Sequence, residues 1–439
     1  MLKKIHPSWY VVLLATSVII STVIIVFGGW ETTGEYLKQY VGQTVEITGK
    51  VSEDPDTDDG GTALRLSELK IGEIEASGVI YAKIPKNEEI KRSDLATLKG
   101  NLSEGFGTFA ASMYRPKLIK VEKIKNADIM LSVRDNFAAI IEKYIPEDEA
   151  KLGLAYLLGM KSGLSDDLVE TLRVVGLVHI VVASGTHMSI LVGLARRIFG
   201  KVSRFAGLVF ALILILAFGS IVGWTTSITR AALVSGLSVT MWYVGRKFEA
   251  WRLILIVMAI TLLINPMYLT NLGWLLSFSA FGGILILEPV LAELLYGGRK
   301  PNFVAETLMA TIAATVTCLP ISLYYFGTVS LISLVANLLI LPTMPYVMGL
   351  IFITGVMGWW PFAAEWLGKF STWALDYHLA VINFFGEQKT FLIEIESQNP
   401  WVFILYVPIA AMVIYATIKR WKLDPKKNLS NTERDWLMI

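Results

Sequence analysis

Apolar and polar positions along the 439 residues fall into three regimes. The first is one apolar run, Trp9 to Gly29, with Lys3 and Lys4 ahead of it and Trp9, Tyr10 and Trp30 at its edges. A bilayer crossing takes about 20 apolar residues. The run fits that length, and it is too long for a cleavable signal and lacks a small-x-small cleavage site. The second regime, 31–126, alternates. Val45, Ile47 and Val51 share a phase in V-E-I-T-G-K-V, and Asp54-Pro55-Asp56 and Asp58-Asp59-Gly60-Gly61 supply a turn. Further strands are predicted over Ala63–Ile71, Glu75–Ile84, Leu95–Leu102 and Lys117–Ile124. Five short strands predict a small β-barrel, an OB-like one among the options. Gly105–Tyr114 reads as an apolar loop that packs on the membrane surface or covers one end of that barrel.

From residue 127 the period changes to that of a helix. Ile129, Val133, Phe137, Ile140, Ile141 and Tyr144 recur on one face, with Arg134, Asp135, Glu142 and Lys143 opposite, which predicts a helix lying along the interface. Short helices follow over Glu147–Met160 and Ser165–Val174, with Ser165 as N-cap. Beyond 176 the chain is a series of apolar runs separated by basic clusters: Arg196, Arg197, Lys201 and Arg204, then Arg246 and Lys247, Arg299 and Lys300, and Lys419 to Lys427. Placing each cluster in the cytoplasm gives about 10 crossings with both termini inside and the β-domain outside. The runs near 252 and 329 are short enough to be re-entrant, and Phe362–Phe385 mixes polar and apolar residues as an interfacial segment does. The predicted fold class is thus a polytopic α-helical membrane protein with an N-terminal extracytoplasmic OB-like small β-barrel. Its parts are 1–30, a transmembrane helix; 31–126, the β-domain; 127–175, interfacial helices; 176–385, the membrane domain; and 386–439, a last helix and a basic tail.

One run breaks the pattern. Gly176–Arg197 is apolar enough for a membrane but carries His179, Ser184, Thr186 and His187 around Gly185. Glycine permits backbone that a helix does not need, and broken helices at membrane depth line cavities or pack in protein. Ser184-Gly185-Thr186-His187 is therefore predicted as a break or a close-packing point, and as the first candidate for a functional site.

Composition agrees with the class: 54% of residues are hydrophobic and 17% charged. A net charge of +2 gives no global basic field, and residues 31–126 carry 14 Lys and Arg against 16 Asp and Glu. A single cysteine, Cys318, excludes an intrachain disulfide and a cysteine zinc site.

Three stretches together resemble a known family. They are G-L-V-H-I-V-V-A-S-G-T-H from Gly176; S-I-T-R-A-A-L from Ser227 with N-P-M-Y-L-T-N-L-G-W-L-L-S-F-S-A-F-G-G-I-L from Asn265; and P-I-S-L-Y-Y-F-G-T-V-S-L-I-S-L-V-A-N-L-L-I-L-P from Pro320. In order and spacing, residues 130–385 are similar to the membrane domain of ComEC-type competence proteins. The resemblance implies an inner-membrane channel that takes up single-stranded DNA in natural transformation. It implies two partners, a separate nuclease and a cytoplasmic ATP-driven motor, and it allows a homo-oligomer. The sequence departs from the family in three ways. Thr186 stands where a leucine is usual, one helix rather than two precedes the β-domain, and only 21 residues follow Ile418, with no H-x-H-x-D-H. The metallo-β-lactamase-like domain of larger members is thus expected to be absent. With no Walker motif either, no enzyme activity and no cofactor are expected.

A polyanion cannot cross hydrocarbon without a wet, donor-lined path. The residues expected to line or gate one are His179, Ser184, Gly185, Thr186, His187, Arg230, Asn271 and Asn337, with Thr225, Thr226, Ser227, Thr229, Ser277 and Ser279 beside them. Arg230 is the most informative, since arginine at mid-membrane costs about 2.5–3.5 kcal/mol; the plainer reading is that it snorkels. His179 and His187 read equally as neutral core residues bonded to a hydroxyl or carbonyl. Asn337 reads as a helix–helix hydrogen bond. A metal site would need Glu288 or His378 to join the two histidines, and none is expected. The rival reading is an intramembrane hydrolase with Ser184 as nucleophile, His179 or His187 as base and Asp376 or Glu288 as orienting acid. A third is a transporter of another anionic polymer or solute.

Overall fold

A computed structural model describes residues 9–26, 35–58, 60–72, 74–87, 90–123, 129–181, 185–245, 250–297, 299, 301–330, 332–387, 392–394, 399–409 and 411. The first apolar run forms α1 (Trp9–Val26), and a short turn of helix, α2 (Glu35–Lys38), leads into the β-domain. There the strands are β1 (Thr44–Val51), β2 (Asp56–Asp58), β3 (Gly61–Ile71), β4 (Ile74–Ala76), β5 (Ile80–Ile84), β6 (Leu95–Asn101), β7 (Ser103–Glu104), β8 (Ala111–Tyr114) and β9 (Lys117–Glu122). They pair in the order β7-β8-β5-β3-β1-β6-β9, with β2 and β4 on β3. Alternation drives the strands: β5 reads buried, half-buried, buried along its length. One side of the sheet wraps a single apolar core that includes Ile47, Leu64, Leu66, Ile80, Leu98 and Met113, all fully buried.

Two expectations for this domain are corrected. The pairing path is open, because β7 is only two residues long and pairs with β8 alone, while β9 pairs with β6 alone. The segment Gly105–Tyr114 is not all loop, since Ala111–Tyr114 is a strand parallel to β5. Ala111, Ser112 and Met113 are all buried. The outer side of the strand is covered by clustered Tyr81, Phe106, Phe109 and Tyr114 rings with centroids 5.2–6.3 Å apart. A strand covered on both sides shows no alternation for a sequence reading to catch.

The rest is helical: α3 (Ile129–Tyr144), α4 (Glu147–Leu158), α5 (Asp166–Val175), α6 (Gly185–Ile198), α7 (Arg204–Val222), α8 (Thr226–Tyr243), α9 (Ala250–Ile264), α10 (Leu272–Tyr296), α11 (Phe303–Phe326), α12 (Ser333–Ile340), α13 (Met344–Val356) and α14 (Pro361–Gly386). A small hairpin pairs β10 (Thr328–Ser330) with β11 (Leu392–Glu394). Caps form where the sequence places them; Ser165 Oγ accepts from the Leu168 N–H at 3.3 Å. Among the described residues three helices, α7, α10 and α11, are long and apolar enough to cross a membrane, and α12 with α13, bent by 49°, makes a fourth if the pair is one broken span. The expected count of about 10 takes 329–341 and 347–359 as two crossings and rests besides on α1, on the shorter or more polar α6, α8 and α9, and on the run 401–418, much of which lies outside the described residues. Residues 362–385 are one continuous helix, α14. It buries Ala364, Gly368, Ser371, Leu375, His378 and Ile382 at helical spacing and leaves Trp366, Phe370, Trp373 and Phe384 exposed.

The apolar cores are local. One joins α3, α4 and α5 to α12, α13 and α14. A second lies among α6, α7 and α8, and a third among α8, α9 and α10. The sheet docks on this body through charge. Arg134 of α3 is 5% exposed and pairs with Asp54 and Asp135, while Lys91 reaches Asp135 at 2.9 Å. Docking of the β-domain thus buries Arg134 on the polar face of α3. Arg92 Nη2 donates to the Ser220 carbonyl near the end of α7 at 3.0 Å. Lys161, in the turn between α4 and α5, sits near Asp56 and Arg65, and burial pushes its ammonium pKa below the ordinary value.

Candidate functional site

The central stretch does not break within 185–187, which open one continuous helix, Gly185–Ile198. Val178–Ile180 is one turn of 3-10 helix, 182–184 lie outside the described residues, and α6 begins at Gly185. Ser184 is therefore outside the described residues, and of Thr186 only the helical backbone is described.

Gly185 opens onto a cavity of about 20 Å³ lined also by Ser227, Arg230, Val234, Ser277, Phe278 and Phe281. Three and four residues separate the contributions of α8, which places them on one face; Ser277 and Phe281 do the same on α10. Glycine at 185 matters locally, since a Cβ there would stand 3.3 Å from the Phe281 ring. Arg230 is 4% exposed, and its Nε and Nη1 are buried without a hydrogen-bond partner. Its guanidinium carbon lies 5.7 Å from the Phe278 ring centroid, a cation–π contact. That contact uses the face of the guanidinium and leaves the edge donors unsatisfied. A buried arginine with open donors costs free energy until an acceptor arrives. The N-terminal end of α6 adds the positive pole of a helix at the same cavity. Chemically the arrangement is an acceptor-seeking pocket in an otherwise apolar helix junction. About 10–15 Å³ holds a water molecule, so in this structure the pocket has room for a water and not for a strand.

The other expected residues are dispersed. His187 is 2% exposed and faces α4. Its Nε2 lies 2.6 Å from the Tyr156 carbonyl, and its ring stacks on Phe218 at 5.6 Å. A carbonyl only accepts, so Nε2 carries the proton and donates. Tyr156 is near the end of α4, where carbonyls lack helical partners; His187 is a core residue in that role. His179 is exposed on its 3-10 turn. Asn271 caps α10, its Oδ1 accepting from the Trp274 N–H at 3.0 Å. Asn337 is buried on α12 and its Oδ1 has no hydrogen-bond partner. Ser279 and Thr317 exchange hydrogen bonds with each other's carbonyls at 3.1 and 3.0 Å, which locks α10 to α11. Thr225 caps α8. Of the candidate residues, then, the cavity gathers Gly185 and Arg230 with Ser227 and Ser277. Sequence reasoning missed the two phenylalanines that wall it; their i, i+3 spacing behind Ser277 was the available signal. His378, raised only as a metal ligand, is fully buried between Tyr156 and Tyr377 with Nε2 2.8 Å from Thr343 Oγ1. Among the described residues no three metal-ligating side chains gather.

Residues 156–421 match the family model described as Competence protein. A relative, ComE operon protein 3 of Bacillus subtilis (strain 168), is 24% identical over 220 residues, which is 48% of this chain and 27% of that protein. The chain thus matches about a quarter of the relative's length. No solved structure matches the chain.

Proposed function

The chain belongs to the competence protein family, and from that premise we propose that it forms the inner-membrane path by which single-stranded DNA enters the cell, with Arg230 as a phosphate contact. The observation that carries this reading is the buried guanidinium whose Nε and Nη1 have no acceptor, turned toward a pocket walled by serines, phenylalanines and a helix N-terminus. Arginine donors suit phosphate oxygens, and aromatic walls suit bases. Since the pocket is the size of a water, the packed helices are the closed state, and passage requires α8 and α10 to part. In this reading the membrane domain crosses about 10 times with both termini cytoplasmic. The sheet lies outside as an OB-type, partly open barrel, a reading that the single apolar core it wraps supports. A separate nuclease and a cytoplasmic ATP-driven motor act with it, and copies of the chain associate if one copy is too narrow.

The test is uptake of labelled DNA by cells with and without this gene, scoring cytoplasmic entry apart from surface binding. Arg230→Ala is expected to lower entry at least about tenfold, as loss of one charged hydrogen-bond donor set does, with surface binding unchanged. Arg230→Lys should recover part of it. Full entry in the Arg230→Ala cells would remove Arg230 from the path, and equal entry without the gene would remove the chain from uptake.

A further inference from the structure

Glu288 lies inside α10, one of the helices long and apolar enough to cross the membrane, and Pro289 follows it within the same helix. It is 4% exposed, and its Oε2 is buried without a hydrogen-bond partner. The Ser279–Thr317 exchange and the approach of Gly283 to Ala313 fix an antiparallel register between α10 and α11. That register carries Glu288 level with Leu308, beside the buried Leu287 and Met309. The charged group that acts on it is Glu306, in the first turn of α11, and its charge has the same sign. Among the described residues no Lys, Arg or His forms an ion pair with Glu288.

An ionised carboxylate there would have Oε2 buried without a donor and no cation paired with it among the described residues, and burial penalises the charged form. Ionisable side chains inside membrane helices are rare and are retained where they bind or pass an ion. Pro289 adds a second polar opening, since its ring nitrogen cannot donate to the Leu285 carbonyl one turn back. Glu288 and that carbonyl together offer an O–H donor and an acceptor inside apolar helix packing. We propose that Glu288 is a proton-binding site of the membrane domain. It holds its proton while α10 and α11 are packed as here, and it gives the proton to water when they part. In that step the O–H bond breaks, its electron pair stays on the carboxylate, and water takes the proton as hydronium. The site lies about 15 Å along α10 from Phe278, so it stands or falls apart from the Arg230 pocket.

The probe is dicyclohexylcarbodiimide, which adds only to a protonated carboxyl and partitions into apolar sites. Membrane vesicles carrying the full chain are treated at pH 7 and the adducts mapped by mass spectrometry. An exposed glutamate is protonated about once in 500 at that pH, so Glu288 is expected to label at least tenfold above Glu306 and Glu365, and Glu288→Gln should lose that adduct. Gly283→Ala, which spreads α10 from α11 without touching the acid, should reduce labelling at Glu288. Labelling of Glu288 no greater than that of Glu365 in the unaltered chain would overturn the proposal, whatever the variants do; so would undiminished labelling in a folded Gly283→Ala chain.

Discussion

His187 shows how a residue chosen for chemistry can turn out to hold a fold together. Its Nε2–H ends on the Tyr156 carbonyl at 2.6 Å, which ties α6 to the end of α4. His187→Ala is expected to lower unfolding stability by about 1–3 kcal/mol, the cost of stranding a buried carbonyl. His187→Gln should recover part of this through its amide donor. Thermal unfolding of the detergent-solubilised chain measures both, and unchanged stability with abolished function would return His187 to the site. At this scale the sequence was informative about Gly185 and Arg230, because glycine and arginine are conspicuous in an apolar run. It could not separate a capping asparagine from a lining one: Asn271 and Asn337 look alike in sequence, and only the surrounding helices make the first a cap.

At the scale of elements, apolar period and basic flanks were enough to locate most helices, and alternation located most strands. They failed where packing hides the pattern. Strand β8 is covered on both sides, and α14 mixes its residues because it buries a narrow stripe. The α10–α11 pair shows packing deciding at single positions. A Cβ on Gly283 would stand 2.5 Å from the Ala313 carbonyl oxygen and 2.2 Å from Thr317 Oγ1, whereas one on Gly282 meets nothing within 4 Å. Opposite signs are expected. Gly283→Ala should destabilise by about 1–3 kcal/mol through overpacking. Gly282→Ala should stabilise by about 0.5–1 kcal/mol through backbone entropy. Paired unfolding curves settle it, and a matched loss in both variants would mean that the helices do not approach in the way described.

For the whole molecule, a β-domain beside a helical body was legible from the change in residue pattern near 127. How the two meet was not. Arg134 carries a polar label in sequence, yet it is buried by its pairs with Asp54 and Asp135. Asp54 lies 80 residues from Arg134, too far along the chain for spacing to reveal. Arg134→Ala and Asp54→Ala, alone and combined, are expected to show a coupling of about 1.5–3 kcal/mol. Hydrogen exchange should rise across 129–144 in each single variant. Additive effects would mean that the pair does not hold the sheet.

Arg92 extends that junction inward. It reaches past Gly223, where a Cβ would stand 2.9 Å from its Nη1, to the Ser220 carbonyl. Two residues after Gly223, Thr225 caps the helix that bears Arg230. The side chain is a tether between the sheet and the elbow joining α7 to α8.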